Sequence, residues 1–310
     1  MGRLTLDIAS ETLRLAQPFR IAGHVFDSSD IVVVTLSDGR AKGRGEASGV
    51  FFLGETVDGM RAQIEAVREA IEAWPTREAL RFILPPGGAR NAVDCALWEL
   101  EAVVVGQPVW RLAGLDAPQP LRTTFTLGAD TPEAMAKGAV GYADARSIKV
   151  KLTGDLALDQ ARVRAIRAAR PDVWLGVDGN QGFVREDLEG FDSPIPIAAD
   201  ESVVSLPDVA AAAGRFQVIN IKLDKCGGLT EGLLMAAKAR RLGLGVMVGT
   251  MVGTSLATGP GFVLGQVCDL VDLDGPTFLA KDRTPSVVYR DGTVWAGDDV
   301  WGAPASAAAA

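Results

Sequence analysis

Ser147-Ile148-Lys149-Val150-Lys151-Leu152 sets two lysines at period two in an otherwise apolar run. Alternation along an extended chain sends Ile148, Val150 and Leu152 to one face and both lysine ammonium groups to the other. A solvated antiparallel strand would tolerate that pattern, but the chain downstream argues for something else. Charged residues keep closing short apolar runs: Asp178 in Val-Asp-Gly-Asn, Asp200 in Ala-Asp-Glu-Ser, Lys222 in Asn-Ile-Lys-Leu-Asp, and Asp272 with Asp274 in Val-Asp-Leu-Asp-Gly. Charges repeated at strand ends mark a site.

After Pro118 the pattern is strand, turn, helix, repeated, which encodes a parallel sheet. Strands are expected at 123–127, 147–152, 173–178, 195–200, 218–223, 245–248 and 270–274, with helices over 156–169 and 230–241. The charged residues then fall at the C-terminal strand ends, where a (β/α)8 barrel carries its active site. Seven strands are read where closure at the usual geometry needs eight. Between Asn180 and Pro194 there is no room for a helix, a strand and a second helix, since a βα unit takes roughly 30 residues. The expected fold class is α/β, a (β/α)8-type barrel in which one βα unit, strand 4, is lacking from this sequence, either as a true deletion or because residues are omitted.

The first 117 residues read differently. Ile31 to Leu36 is a strong strand run, Asp38-Gly39 a turn and Lys42 to Ala47 a second strand. Helices follow over 57–71, behind a Thr56 cap, and over 91–105. The expected division is an α+β unit over 1–117, a barrel over 118–283, and a tail over 284–310. In the tail, a hairpin around Asp291-Gly292 is expected to return to the first unit.

Composition narrows the class. A 310-residue chain that is 48% hydrophobic can bury a large core. A formal charge of −8 without any Lys/Arg cluster argues against nucleic acid or an anionic membrane surface as partners. Cys95, Cys226 and Cys268 lie far apart without metal-ligand spacing, so a disulfide framework is not expected and a reducing, cytoplasmic setting is. A single histidine removes most His-based chemistry. No signal region or bilayer-length apolar run is read. Homo-oligomerisation is left open.

Asp178 and Asp200, hard oxygen ligands on neighbouring strand ends, suit Mg²⁺. Structural ion pairs with the lysines are the competing reading. An ammonium near a second ammonium and a cation has its charged form disfavoured, which makes Lys151 and Lys222 usable as bases on either side of a substrate carbon. Lys225 has the opposite parity to Lys222 and is read as exposed. A carboxylate-bound metal flanked by two bases suits proton abstraction α to a carboxylate.

These residues carry a resemblance. Lys149-Val150-Lys151, Val177-Asp178-Gly179-Asn180, Ala199-Asp200-Glu201-Ser202, the run Asn220 to Glu231 and Asp272-Leu273-Asp274-Gly275-Pro276 resemble the enolase superfamily, muconate-lactonizing subgroup. Within it they look most like dipeptide epimerases of the L-Ala-D/L-Glu type. Ala89 to Trp98 in the first unit is similar to the same family. The resemblance implies an α+β cap whose lid loops lie near 20–30 and 48–55. It implies Lys151 and Lys222 as acid/base residues, Lys149 beside the substrate carboxylate, Asp178 and Asp200 as Mg²⁺ ligands, and Asp272 with Asp274 receiving the α-ammonium of a small dipeptide substrate.

Two departures stand out. The family's third metal ligand, a Glu ending strand 4, has no counterpart; Glu186, Asp187 and Glu189 are acids in that interval, read more simply as a helix start. The Arg that members acting on Ala-Glu present from the first lid loop is matched by Gly23, followed by His24, while Phe26, Phe51 and Phe52 occupy the lid stretches. The alternatives are another activity of the subgroup, muconate cycloisomerase or o-succinylbenzoate synthase, and a catalytically impaired ligand-binding homologue.

Overall fold

The computed structural model describes residues 2–182 and 193–302. Three long antiparallel strands open it: β1 (Thr5–Ile21), β2 (His24–Ser37) and β3 (Lys42–Ser48), in the order β1-β2-β3. The first predicted helix is broken at Val67, whose φ of −118° is not helical, into α1 (Val57–Ala66) and α2 (Arg68–Glu72). Thr56 caps α1 through Gly59 N.

After α3 (Arg77–Ile83) comes α4 (Gly88–Val105), buried on nearly every side. Glycine on β3 makes that possible: a Cβ on Gly43 would stand 2.1 Å from Ala96 O, and one on Gly45 2.0 Å from Ala92 O. The opposite face of α4 grips the barrel. Arg90 donates to the carbonyls of Cys226 and Gly227, and Asp94 accepts from Thr230 N and Oγ1.

The barrel strands form two parallel sheets. One is β5 (Phe125–Leu127), β6 (Ser147–Lys151) and β7 (Trp174–Asp178); the other runs β11-β10-β9-β8, with β8 (Ala198–Ala199), β9 (Val218–Lys222), β10 (Gly245–Gly249) and β11 (Leu270–Asp272). The sheets meet at one seam, where Thr124 N donates to Val271 O at 3.0 Å and Leu273 N to Thr123 Oγ1 at 3.0 Å. At the other, among the described residues, nothing pairs with β7 or β8 on the sides they would turn to each other. Val177 and Ile195 are exposed there, where helix cover would otherwise stand. The expected 195–200 strand shrinks to two residues because it has a partner on one side only.

Ahead of β5, β4 (Leu121–Arg122) pairs with the C-terminal hairpin β12 (Val288–Arg290) and β13 (Thr293–Trp295). This corrects the expectation for the tail: the hairpin closes onto the start of the barrel, and it is the residues after it that reach the first unit. Trp301 Nε1 donates to Arg44 O, and Gly302 N to Glu99 Oε1.

Candidate active site

Parallel register places the first pair. Lys151 on β6 is the direct partner of Asp178 on β7, and its Nζ donates to Asp178 Oδ2 at 2.8 Å. Lys149, two residues earlier and so on the same face, lies 4.0 Å from that oxygen and pairs with Asp272 of the other sheet. Asp272 also accepts from Thr124, and Asp274 accepts from Thr126 N at 2.6 Å. Of the two acids expected to receive an ammonium group, Asp272 therefore already holds one.

The second pair belongs to the other sheet. Lys222 Nζ lies 2.7 Å from Asp200 Oδ2, which also accepts from Asn220 Nδ2 at 3.0 Å. A Cβ on Gly249 would stand 2.8 Å from Asn220 Oδ1 and 3.3 Å from Lys222 Cε, so glycine on β10 keeps this corner open. The expectation for Lys225 fails. It is fully buried, with its Nζ 2.6 Å from Asp200 Oδ1, because the turn Leu223–Cys226 folds it back toward β8. Strand parity did not apply past Lys222, where the chain is helical.

The two lysines differ electrostatically. Burial and the neighbouring Lys149 and Lys222 ammonium groups lower the Lys151 pKa below 10.5 in spite of Asp178. Burial works in the same sense on Lys222, but Asp200 and Asp178 outweigh it and its pKa is raised. The expected lowering thus holds for Lys151 and reverses at Lys222. Lys149 is raised as well, Asp272 and Asp178 overcoming burial. Asp178 is brought down to about 2 where burial alone would raise it, by Lys151 and Lys149; Asp200 is depressed further, by Lys222 and Lys225. Burial and the Asp272 charge push Asp274 up to about 6.

The donor set fits a hard cation. Asp178 and Asp200 are carboxylates, and beside them the buried Oδ1 atoms of Asn180 and Asn220 accept no hydrogen bond. Among the described residues no third acid joins them. Glu186, Asp187 and Glu189 lie outside the described residues.

The lid stretches converge on one aromatic cluster. His24 stacks on Phe26 with ring centroids 6.0 Å apart and meets Phe51 at 5.0 Å; Phe51 contacts Phe26 at 5.5 Å and Phe52 at 5.4 Å. Ser29 and Ser48 fasten the bases of both stretches to Val252 O, each at 2.8 Å, just beyond the end of β10. Gly23 has open space where a side chain would stand. Two cavities, of about 490 and 740 Å³, lie along β1 and are not lined by the lysines.

Fold and site together define an enolase-like enzyme class, with a cap over the C-terminal ends of parallel barrel strands that carry lysines and acids. Residues 3–114 match the mandelate racemase/muconate lactonizing enzyme N-terminal domain and residues 186–299 an enolase C-terminal domain-like family, and the chain belongs to that family. It is 37% identical to the L-Ala-D/L-Glu epimerase of Escherichia coli K12, over 93% of this chain and 98% of the relative. That alignment spans 317 positions, more than the 310 residues of this chain, so stretches of the relative have no counterpart here. An enolase family member from Agrobacterium tumefaciens, solved with sodium and L-Ala-L-Glu, superposes with a TM-score of 0.92 at 38% identity, covering 96% of this chain and all of that one. A dipeptide epimerase from Methylococcus capsulatus, complexed with Mg and L-Arg-D-Lys, gives 0.85 at 27% identity, covering 95% and 97%. No described helix is long and apolar enough to cross a membrane.

Proposed function

We propose that the protein epimerises a dipeptide by carrying the α-proton of its C-terminal residue between Lys151 and Lys222. The observation that carries the reading is the arrangement of two lysine–aspartate pairs, Lys151 with Asp178 and Lys222 with Asp200, on the two sheets of one barrel. Lys151, with the lower pKa, is neutral more readily and takes the proton. The C–H electron pair moves into the adjacent carboxylate as an enediolate, and protonated Lys222 returns a proton to the opposite face. The reverse reaction exchanges the two roles.

Asp178 and Asp200 would hold Mg²⁺, which when bound supplies positive charge where the substrate carboxylate gains negative charge. Lys149 would stand beside that carboxylate. Asp272 and Asp274 would receive the dipeptide's α-ammonium, which takes the place Lys149 occupies on Asp272 and frees that lysine for the substrate. The aromatic lid and the bare Gly23 favour an apolar side chain on the epimerised residue. We assign the cap to 1–117, the barrel to 118–283 and the tail to 284–310. Three unpaired cysteines suit a cytoplasmic setting.

A second reading, a ligand-binding homologue without turnover, is favoured by one observation: no third acid joins Asp178 and Asp200 among the described residues. Proton NMR in deuterated solvent with Mg²⁺ and L-Ala-L-Phe or L-Ala-L-Glu separates the two. Loss of the α-proton signal with appearance of the second diastereomer is the expected result. Ligand binding without exchange would establish the binding module instead.

A further inference from the structure

Asp200 is carried by the weakest strand of the barrel. β8 is two residues long, and its backbone ladder to β9 ends at Ala199 opposite Ile219. On its other side no described residue pairs with it. In a closed barrel a strand-end carboxylate is fixed by neighbours on both sides; here one side must suffice.

The next register position is Asp200 opposite Asn220, and there a side chain continues the ladder. Lys225 Nζ donates to Asp200 O at 2.5 Å, to Asp200 Oδ1 at 2.6 Å and to Asn220 O at 3.2 Å. All three ammonium hydrogens thus have an acceptor, two of them on β8 and one on β9. Lys225 is completely buried, and its only ion pair among the described residues is with Asp200. Asn220 adds a second tie, through Nδ2 to Asp200 Oδ2. A solvated lysine has no reason to be enclosed in this way, and an enclosed charge survives only when its partners are held in place.

We propose that Lys225 is a positioning residue: it staples β8 to β9 and fixes the Asp200 carboxylate from the one side on which a described strand pairs with β8. It touches neither substrate nor reacting atoms. The consequence for Mg²⁺ rests on the functional reading above, whereas the staple itself does not.

The test is Lys225→Met, which keeps the length of the side chain and removes its donors. Hydrogen exchange of the intact protein, without metal or substrate, is expected to speed up about tenfold or more over 197–203 and to stay unchanged in β9 and β10. Titration with Mg²⁺ alone is expected to show affinity lowered by about 10- to 100-fold, with kcat falling and KM for the dipeptide held. Uniform acceleration of exchange through β9 to β11, or no change over 197–203, overturns the proposal. If the Met variant does not fold, Lys225→Gln, whose amide still donates to the carbonyls, is measured the same way. Selective loosening in a protein that binds no Mg²⁺ and exchanges no substrate proton upholds the staple and defeats the functional reading.

Discussion

Lys151 and Asp178 are register partners on adjacent parallel strands, and their side chains meet at 2.8 Å. The pairing would couple the proposed base to a proposed metal carboxylate without any intervening group. It also explains why Lys151 keeps a lowered pKa beside an aspartate: Asp178 is shared with Lys149, so its charge does not offset burial and the neighbouring ammonium groups.

In the direction in which Lys151 abstracts the proton, kcat/KM should rise with pH as Lys151 becomes neutral, at a pH below the ordinary lysine value of 10.5. It should fall again at higher pH, where Lys222, which Asp200 and Asp178 help to keep protonated, loses its proton. The pH–rate profile checks this. A rate that only falls as pH rises toward 10.5 would contradict the assignment of roles.

Asp272→Asn or Asp274→Asn should weaken use of free-amine dipeptides by about tenfold or more while sparing N-acylated ones, because only the former carry the charge that these carboxylates would pair with. Steady-state kinetics on matched substrates decide it. Equal losses on both would move the protein toward the other activities of its subgroup.

Phe51→Ala, which removes the hub of the lid cluster, should lower kcat/KM for dipeptides with a C-terminal Leu or Phe by roughly tenfold and leave Ala-Glu nearly unchanged. A uniform loss across side chains would place the rings in cap packing alone.

Asp224, buried between the cap and the barrel, accepts from Ser48 N at 3.0 Å and from Asn91 Nδ2 at 3.2 Å, and burial pushes its pKa up to about 7. The folded state therefore binds its proton more tightly than the unfolded state, whose value is near 3.8. Its contribution to stability is present below about 3.8 and is lost as pH rises toward about 7. Asp224→Asn should flatten the dependence of Tm on pH between 4 and 7, and an unchanged slope would show that the group does not titrate there.

Much of the site was legible in the sequence because strand alternation and strand ends are local signals. Lys149, Lys151, Asp178, Lys222 and Asp272 lie on the strands of the two sheets, and Asp200 and Asp274 follow just after β8 and β11. The long helix 156–169 was read to the residue, since its Asp155 cap and periodic face lie within one segment. What escaped depended on tertiary contacts. Lys225 sits one helical turn past a strand, where parity gives no direction, and its burial is decided by β8. The hairpin's partner, β4, lies more than 160 residues away in the chain and leaves no local trace. The short interval between Asn180 and Pro194 is legible as a length deficit, whereas a two-residue β8 that pairs, among the described residues, with β9 alone is not.

If Lys151 and Lys222 work on opposite faces of one carbon, each lysine alone can reach the α-proton of one diastereomer only. The most direct measurement follows α-deuterium incorporation into each diastereomer of one dipeptide by Lys151→Ala and Lys222→Ala, with folding checked by circular dichroism. Epimerisation should fall by about 10²- to 10⁴-fold in both variants. Each should retain exchange, if any, with the diastereomer whose proton faces the remaining lysine, and the two variants should retain opposite ones. Full turnover in either variant, or retention of the same diastereomer by both, would rule out two bases on opposite faces.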